Sequence, residues 1–181
     1  MKRFIIIILS SVVLFVLACE KEVIEVPVHY GTASIVINGD SLNFKVGLRK
    51  TPLNDSLYSI LFEYYNDRGL LRKQFSCAGF KLNFEKQIMY DVTHNPKKYP
   101  FTGYGTLLSD GDVAGTNYFL NETAPEANYI QITAYNEVTK EVKGAIWAIF
   151  YKDVSFFPYN PEPAAPDTIL INGVFDTKIL D

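Results

Sequence analysis

The chain has 181 residues, a formal net charge of −3 and 48% hydrophobic residues. This length fits one domain that can bury a sizeable core without disulfide or metal support. Beyond Lys2 and Arg3 there is no block of basic residues, so the sequence predicts no nucleic-acid partner. An isolated phosphate or anionic-glycan site stays open.

The N-terminus has the pattern of an export signal. Lys2 and Arg3 precede an apolar run over residues 4–18, which is shorter than the roughly 20 residues of a membrane-spanning helix. Cys19 directly follows Ala18, and this arrangement resembles the lipobox of bacterial lipoproteins. The resemblance implies a signal helix over residues 1–18 that is removed, and acylation (palmitate) at Cys19. The alternative is an uncleaved anchor helix with an incidental cysteine.

Lipidation implies a place in the cell. One acyl chain holds a protein to a membrane only marginally, whereas several chains anchor it stably, and the lipoprotein class implies a multiply acylated cysteine. The expected location is the outer membrane of a cell envelope, on its periplasmic or surface face. Without residues 1–18 the chain has a net charge of −5, because the signal holds two basic residues and no acidic ones.

Residues 19–32 are predicted to be a tether, and residues 33–181 a single β domain. Alternating apolar residues flank an Asn38-Gly39 step, which predicts a β-hairpin. Similar alternation, separated by turn residues, predicts further strands at 56–65, 70–82, 86–92, 103–109, 114–120, 128–135, 141–151 and 168–179. About ten short strands predict an all-β fold, an antiparallel β-sandwich or a partly open barrel.

Two glycines and one strand carry finer predictions. Gly79 indicates an irregularity in its strand, and Gly173 indicates a bulge or bend. The strand at 141–151 is apolar on both faces from Ala145 onward, which predicts a central strand covered on both sides.

The sequence predicts no catalytic residue, no metal site and no cofactor. Cys77 lies in an apolar run and is predicted to be a buried hydrophobe. A catalytic thiol would need His29 or His94 as a base, and neither lies in a recognisable motif. Asp110-Gly111-Asp112 is interpreted as a turn, because it lacks the further ligands of a calcium loop.

Aromatic residues in two proline-containing loops are candidate ligand contacts. Such side chains can stack on sugar rings or anchor a partner protein, although they can equally plug the ends of the fold. The candidates are Tyr99, Phe101 and Tyr104, in or beside one loop, and Phe156, Phe157 and Tyr159 in the other.

Ser41, Ser56 and Thr168 each follow an aspartate and precede an aliphatic residue. This pattern resembles the O-glycosylation acceptor sites of Bacteroidota secreted proteins. The alternative is ordinary turn chemistry at the start of a strand, where Asp and Ser are common.

Several short motifs follow one another along the chain. They are V-I-N-G-D at 36–40, I-T-x-Y at 132–135, K-x-V-x-G at 140–144 and I-x-I-N-G-x-F at 169–175. Together with the signal, the order resembles a family of Bacteroidota lipoproteins of unknown function, over roughly residues 33–180. The resemblance implies the envelope location and the β fold, and it brings no catalytic residues.

The sequence therefore predicts a lipid-anchored envelope lipoprotein with a binding or structural role and no enzymatic activity. Its expected partners are the membrane, through the lipid, and a glycan or an envelope protein. The alternative is a glycan-directed surface hydrolase whose site is invisible in sequence. Convergent carboxylates in a cleft would favour the hydrolase, and exposed loop aromatics would favour the binding module.

Overall fold

A computed structural model describes residues 29–52, 54–95, 97–108, 113–154 and 164–180. The predicted signal helix, Cys19, Asp110-Gly111-Asp112 and the second aromatic loop (Phe156, Phe157 and Tyr159) lie outside these residues. Within them, no helix is both long enough and apolar enough to cross a membrane.

The described chain is almost entirely β-structure, as predicted, and its strands belong to one sheet. A single 3-10 turn, Pro125–Ala127, interrupts the strands that the structure describes. The strands are β1 (Gly31–Ile37), β2 (Asp40–Thr51), β3 (Asn54–Tyr65), β4 (Leu71–Phe80), β5 (Gln87–Ile88), β6 (Tyr90–Asp91), β7 (Phe101–Leu108), β8 (Val113–Leu120), β9 (Tyr129–Tyr135), β10 (Glu141–Lys152) and β11 (Thr168–Leu180).

The sheet closes on itself. The antiparallel pairings run from β1 through β2, β3, β4, β7, β8, β10 and β11 back to β1. The seam between β8 and β10 is short, with three residue pairs from Leu120–Phe150 to Tyr118–Lys152. Beyond this seam, β10 pairs with β9 instead of β8. The short strand β5 pairs with β9, and β6 pairs with β7. Of the two predicted forms, these pairings fit the partly open barrel.

The strand β1 is paired on both sides. It lies antiparallel to β11 and to β2, from Ile37 back to Thr32. Beyond the first residue of β1, the strands β11 and β2 pair directly with each other in a short parallel contact at Ile179 and Leu48. The hairpin between β1 and β2 turns through Asn38 (φ 50°) and Gly39 (φ 97°), two positive φ values that a type I′ turn requires.

The core fills the inside of the barrel, because alternate residues of each strand point inward. Phe62 and Phe75 stack with ring centroids 4.3 Å apart, and Phe175 meets Phe62 at 5.7 Å. Cys77 is 0% exposed, which confirms its prediction as a buried hydrophobe.

Two finer predictions are wrong in part. β10 is central, as predicted, because it pairs with β11 on one side and with β8 and β9 on the other. Its outer face, however, is uncovered at Trp147 and Tyr151, which are 37% and 47% exposed. In a sheet that closes around its core, only the inner face is packed against other elements. The apolar residues on the outer face of β10 therefore have no layer above them. Of the bulge or bend predicted at Gly173, the bulge is absent, because the register with both β1 and β10 is continuous there. The missing side chain of Gly173 instead lets Ile35 approach, with Cδ1 2.7 Å from the position of a Cβ atom.

Candidate functional site

The structure separates the aromatic residues of the first predicted loop. Tyr99 is 54% exposed, Phe101 is half-buried beside it, and their ring centroids are 5.5 Å apart. Tyr104 is 4% exposed and packs inside the barrel against Tyr118 and Phe150. Tyr99 and Phe101 are therefore available for contact with a ligand, whereas Tyr104 belongs to the core.

Tyr99 packs directly on the backbone of Gly79. A Cβ atom at Gly79 would collide with the tyrosine ring, with Cε1 and Cγ each 3.0 Å away. Gly79 is the extra residue of a bulge, since Ser59 pairs with Ala78 and Tyr58 with Phe80. Its φ of 83° is accessible to glycine at little cost. The irregularity predicted at Gly79 is confirmed, and it provides the seat for Tyr99.

Two clefts meet at Tyr99, and we call them the Tyr99 clefts. One, of about 380 Å³, has an apolar lining that includes Pro52, Leu57, Ala78 and Phe101. The other, of about 710 Å³, is lined largely by polar side chains: Asn54, Ser56, Lys81, Asn83, Glu85 and Gln87. The tyrosine ring thus stands between an apolar wall and a polar wall.

Hydrogen bonds hold the polar wall in place. Gln87 Nε2 donates to the Lys81 carbonyl at 2.8 Å and to Asn83 Oδ1 at 3.1 Å. Gln87 Oε1 accepts from the Lys81 N–H at 2.8 Å. Across the cleft, Asn54 Oδ1 accepts from the Ser56 N–H at 2.9 Å and from its hydroxyl at 2.6 Å. These contacts preorganise the cleft before any ligand arrives.

A third depression, which we call the Gly103 trough, lies on the outer face of β7. It has a volume of about 520 Å³, and its lining includes Gly103, Gly105, Gln74, Ser76, Asn117 and Phe119. A Cβ atom at Gly103 would meet nothing within 4 Å, so the floor opens to solvent there. A Cβ atom at Gly105 would lie 3.1 Å from Asn117 Oδ1.

Glu63 is a buried carboxylate on the outside of the barrel, at 2% exposure. Its Oε2 lies 2.5 Å from His29 Nε2 and accepts from the Tyr65 hydroxyl at 2.9 Å. Its Oε1 accepts from Gln74 Nε2 at 2.8 Å. Burial, the hydrogen bond to Glu63 and the charge of Glu63 raise the pKa of Tyr65 to about 12. We call these four residues the Glu63 cluster.

Asp91 is the other buried carboxylate among the described residues, at 1% exposure. Its Oδ1 accepts from the Thr93 N–H at 2.8 Å, and its Oδ2 accepts from the Leu120 N–H at 2.8 Å. Both buried carboxylates therefore bind groups of their own chain and organise the fold.

The described residues contain no group of three or more His, Cys, Asp or Glu side chains that could hold a metal ion. Burial raises the pKa of the Cys77 thiol far above its ordinary value. A buried thiol of this kind stays protonated and is a poor nucleophile.

The three predicted glycosylation residues are all exposed. Ser41 lies near the start of β2, Ser56 near the start of β3, and Thr168 is the first residue of β11. All three residues therefore lie at the surface, although the Ser56 hydroxyl already donates to Asn54 Oδ1 at 2.6 Å, and the modification itself stays a prediction. Ser56 also lies in the polar wall of the Tyr99 clefts.

Sequence reasoning missed the Gly103 trough and the Glu63 cluster. The trough depends on two glycines that lie on the same face of one strand. The spacing Gly103-x-Gly105 is a sequence signal that could have indicated it. The Glu63 cluster joins residues up to 45 positions apart, from His29 to Gln74, and has no local signal.

The fold and its clefts define an all-β protein with an exposed aromatic residue set in a preformed surface depression. No protein-family model matches the chain, no curated protein matches it, and no solved structure matches it. The resemblance to Bacteroidota lipoproteins thus stays a prediction from the sequence.

Proposed function

We propose that this protein is a lipid-anchored binding module of the outer membrane, and that it takes a glycan at the Tyr99 clefts. The observation that carries the proposal is the placement of Tyr99. The residue is 54% exposed, and its ring is seated on Gly79 between an apolar and a polar cleft.

Sugar rings have both apolar and polar groups, which match the apolar and polar walls of the Tyr99 clefts. Their C–H faces pack on aromatic rings, and their hydroxyl groups exchange hydrogen bonds with amide and charged side chains. Tyr99 and Phe101 offer the aromatic surface, while Asn54, Lys81 and Glu85 line the polar side. Tyrosine gives a large contact area at a low entropic cost, and the braced walls reduce that cost further.

Binding fits this geometry better than hydrolysis does. Most glycosidases place two carboxyl groups on either side of the bond they cleave. Among the described residues that line the Tyr99 clefts, Glu85 is the one carboxylate. Of the two carboxylates that line the Gly103 trough, Asp91 and Asp153, Asp91 is buried. The buried carboxylates of Glu63 and Asp91 already bind groups of their own chain.

The test of binding uses the full-length protein in detergent on an array of neutral and uronate-containing oligosaccharides. Tyr99→Ala should lower affinity for the bound glycan at least tenfold. Tyr30→Ala is the matched control, because Tyr30 is exposed to a similar degree (56%) but lines neither cleft. Equal binding by Tyr99→Ala and the unsubstituted protein would contradict the proposal, as would the absence of any bound glycan.

The anchor has its own test. The Cys19→Ala variant should lose incorporation of labelled palmitate and should leave the membrane fraction. Continued membrane attachment through a lipid-labelled N-terminus would show that the anchor is not at Cys19.

A further inference from the structure

We infer that the bound glycan is an extended neutral chain, which runs along the outer face of β4 and β7 from the Tyr99 clefts to the Gly103 trough. This inference rests on the proposed function and deepens it, because it gives the ligand a length, a direction and a charge.

The register of the two strands places the depressions in one line. Ala78 pairs with Phe101, Ser76 with Gly103 and Gln74 with Gly105. The residues between them, including Cys77 and Thr102, are buried, so these three pairs share the outer face. Ala78 and Phe101 line a Tyr99 cleft, and the next two pairs line the Gly103 trough.

The line is longer than a single sugar. From Phe101 to Gly105 the strand advances by four residues, or about 13 Å at the usual rise of a β-strand. More than one sugar ring is needed to cover that distance, so a monosaccharide at Tyr99 would leave the trough unused.

Small residues make this path smooth. Ala78, Ser76, Gly103 and Gly105 leave the backbone close to the surface, and the space above Gly103 is open. A glycine within a strand weakens it, so two glycines on one face suit the close approach of a ligand.

The walls of the trough offer the contacts that a sugar chain uses. Gln74 lies on one side, and its amide is held by the hydrogen bond to Glu63 at 2.8 Å. On the other side are Asn117 and Phe119, and the Phe119 ring meets His94 with centroids 4.9 Å apart. Amide and aromatic groups thus occur at both ends of the path.

The charge of the trough favours a neutral chain. The described residues that line it include no lysine or arginine. The carboxylates of an anionic polysaccharide would therefore lose water there without gaining an ion pair, which disfavours binding.

The experiment fills the trough without disturbing Tyr99. Gly103→Gln places a long polar side chain above the floor, and Gly103→Ala is the matched control that leaves the trough open. Both should fold, because a Cβ atom at Gly103 meets nothing within 4 Å. Ser76→Gln, on the paired position of β4, is a second blocking variant. Circular dichroism checks the fold of each protein.

The probes are cellohexaose, mannohexaose and laminarihexaose, each with its disaccharide, together with hexagalacturonate. Titration calorimetry measures their affinity for the full-length protein. For the neutral hexasaccharide that binds, Gly103→Gln and Ser76→Gln should lower affinity at least tenfold and Gly103→Ala less than twofold. Affinity for the matching disaccharide should stay within twofold in all three variants, whereas Tyr99→Ala should weaken both ligands.

The outcomes separate the two proposals. Loss of binding in Tyr99→Ala with unchanged hexasaccharide affinity in both blocking variants would overturn the extended path and leave the Tyr99 site standing. Tighter binding of hexagalacturonate than of any neutral chain would overturn the assignment of charge. If the array binds a glycan at Tyr99 but no neutral hexasaccharide binds, this inference fails and the proposed function stands. If neither the array nor these probes bind the unsubstituted protein, both fail.

Discussion

Gly144 on β10 lies directly opposite Phe175 on β11, and the phenylalanine ring occupies the space in which a side chain at position 144 would lie. Phe175 is 3% exposed and packs on Phe62 in the core. The absence of a side chain at Gly144 therefore lets a core ring reach the barrel wall.

Gly144→Ala should lower the free energy of unfolding by about 1–3 kcal/mol, as overpacking of a core does. The added Cβ would lie 2.6 Å from the carbonyl oxygen of Gln131 and 2.8 Å from Phe175 Cε1, and backbone cannot move aside cheaply. Urea unfolding followed by circular dichroism measures the change. Gly103→Ala is the control, and its open surroundings should leave it as stable as the unsubstituted protein or about 0.5–1 kcal/mol more stable. Equal destabilisation of both would refute the packing argument.

Glu63→Ala should lower the free energy of unfolding by about 3 kcal/mol, because it leaves His29, Tyr65 and Gln74 without their shared acceptor. Asp176→Ala removes a carboxylate from a surface ion pair with Lys143, where both side chains are more than half exposed. Water screens such a pair, so this control should change stability very little. A Glu63→Ala protein as stable as the control would show that the Glu63 cluster is dispensable.

Stability should fall as the pH rises through the range from about 10 to about 12. In the folded protein Tyr65 keeps its proton up to about pH 12, whereas the unfolded chain loses it near its ordinary pKa of 10.0. The folded state then binds more protons than the unfolded state, so rising pH favours unfolding. Urea unfolding at several pH values measures the decline, and Tyr65→Phe should make it shallower. The same slope in both proteins would contradict the pKa assigned to Tyr65.

Cys77 should resist thiol reagents in the folded protein. It is 0% exposed, and burial holds its pKa far above the ordinary range, so almost no thiolate is present at pH 8. In the Cys19→Ala variant Cys77 is the one remaining thiol, and its reaction with a colorimetric disulfide reagent can be followed directly. It should react promptly in guanidinium chloride and at least 100-fold more slowly without it. Rapid labelling of the folded protein would restore Cys77 as a candidate nucleophile.

Local features of the fold could be predicted from the sequence. Alternation placed the strands, the Asn38-Gly39 step set the first hairpin, and Gly79 marked a bulge, because each depends on neighbouring residues. The closure of the barrel could not be predicted in this way. It depends on β11 meeting β1 and on β8 meeting β10, and pairings between distant segments leave no periodic signal.

The candidate site was predicted in part. Tyr99 and Phe101 were found as loop aromatics, and Tyr104 was grouped with them because it lies beside the loop, one residue into the predicted strand. The strand spans Phe101–Leu108, and its alternation places Tyr104 on the inner face with Thr102. The trough beside them requires the register of β4 against β7, which only the folded chain supplies.

The double pairing of β1 has a mechanical consequence. A force applied at His29 in the direction of the strand would act on the hydrogen bonds of β1 to both β2 and β11 at once. Those bonds would have to break together, in shear, rather than one after another as in an unzipping hairpin. The contact between His29 and Glu63 would bear the load first. A domain tethered through this end would therefore resist pulling by a large ligand held at its outer face.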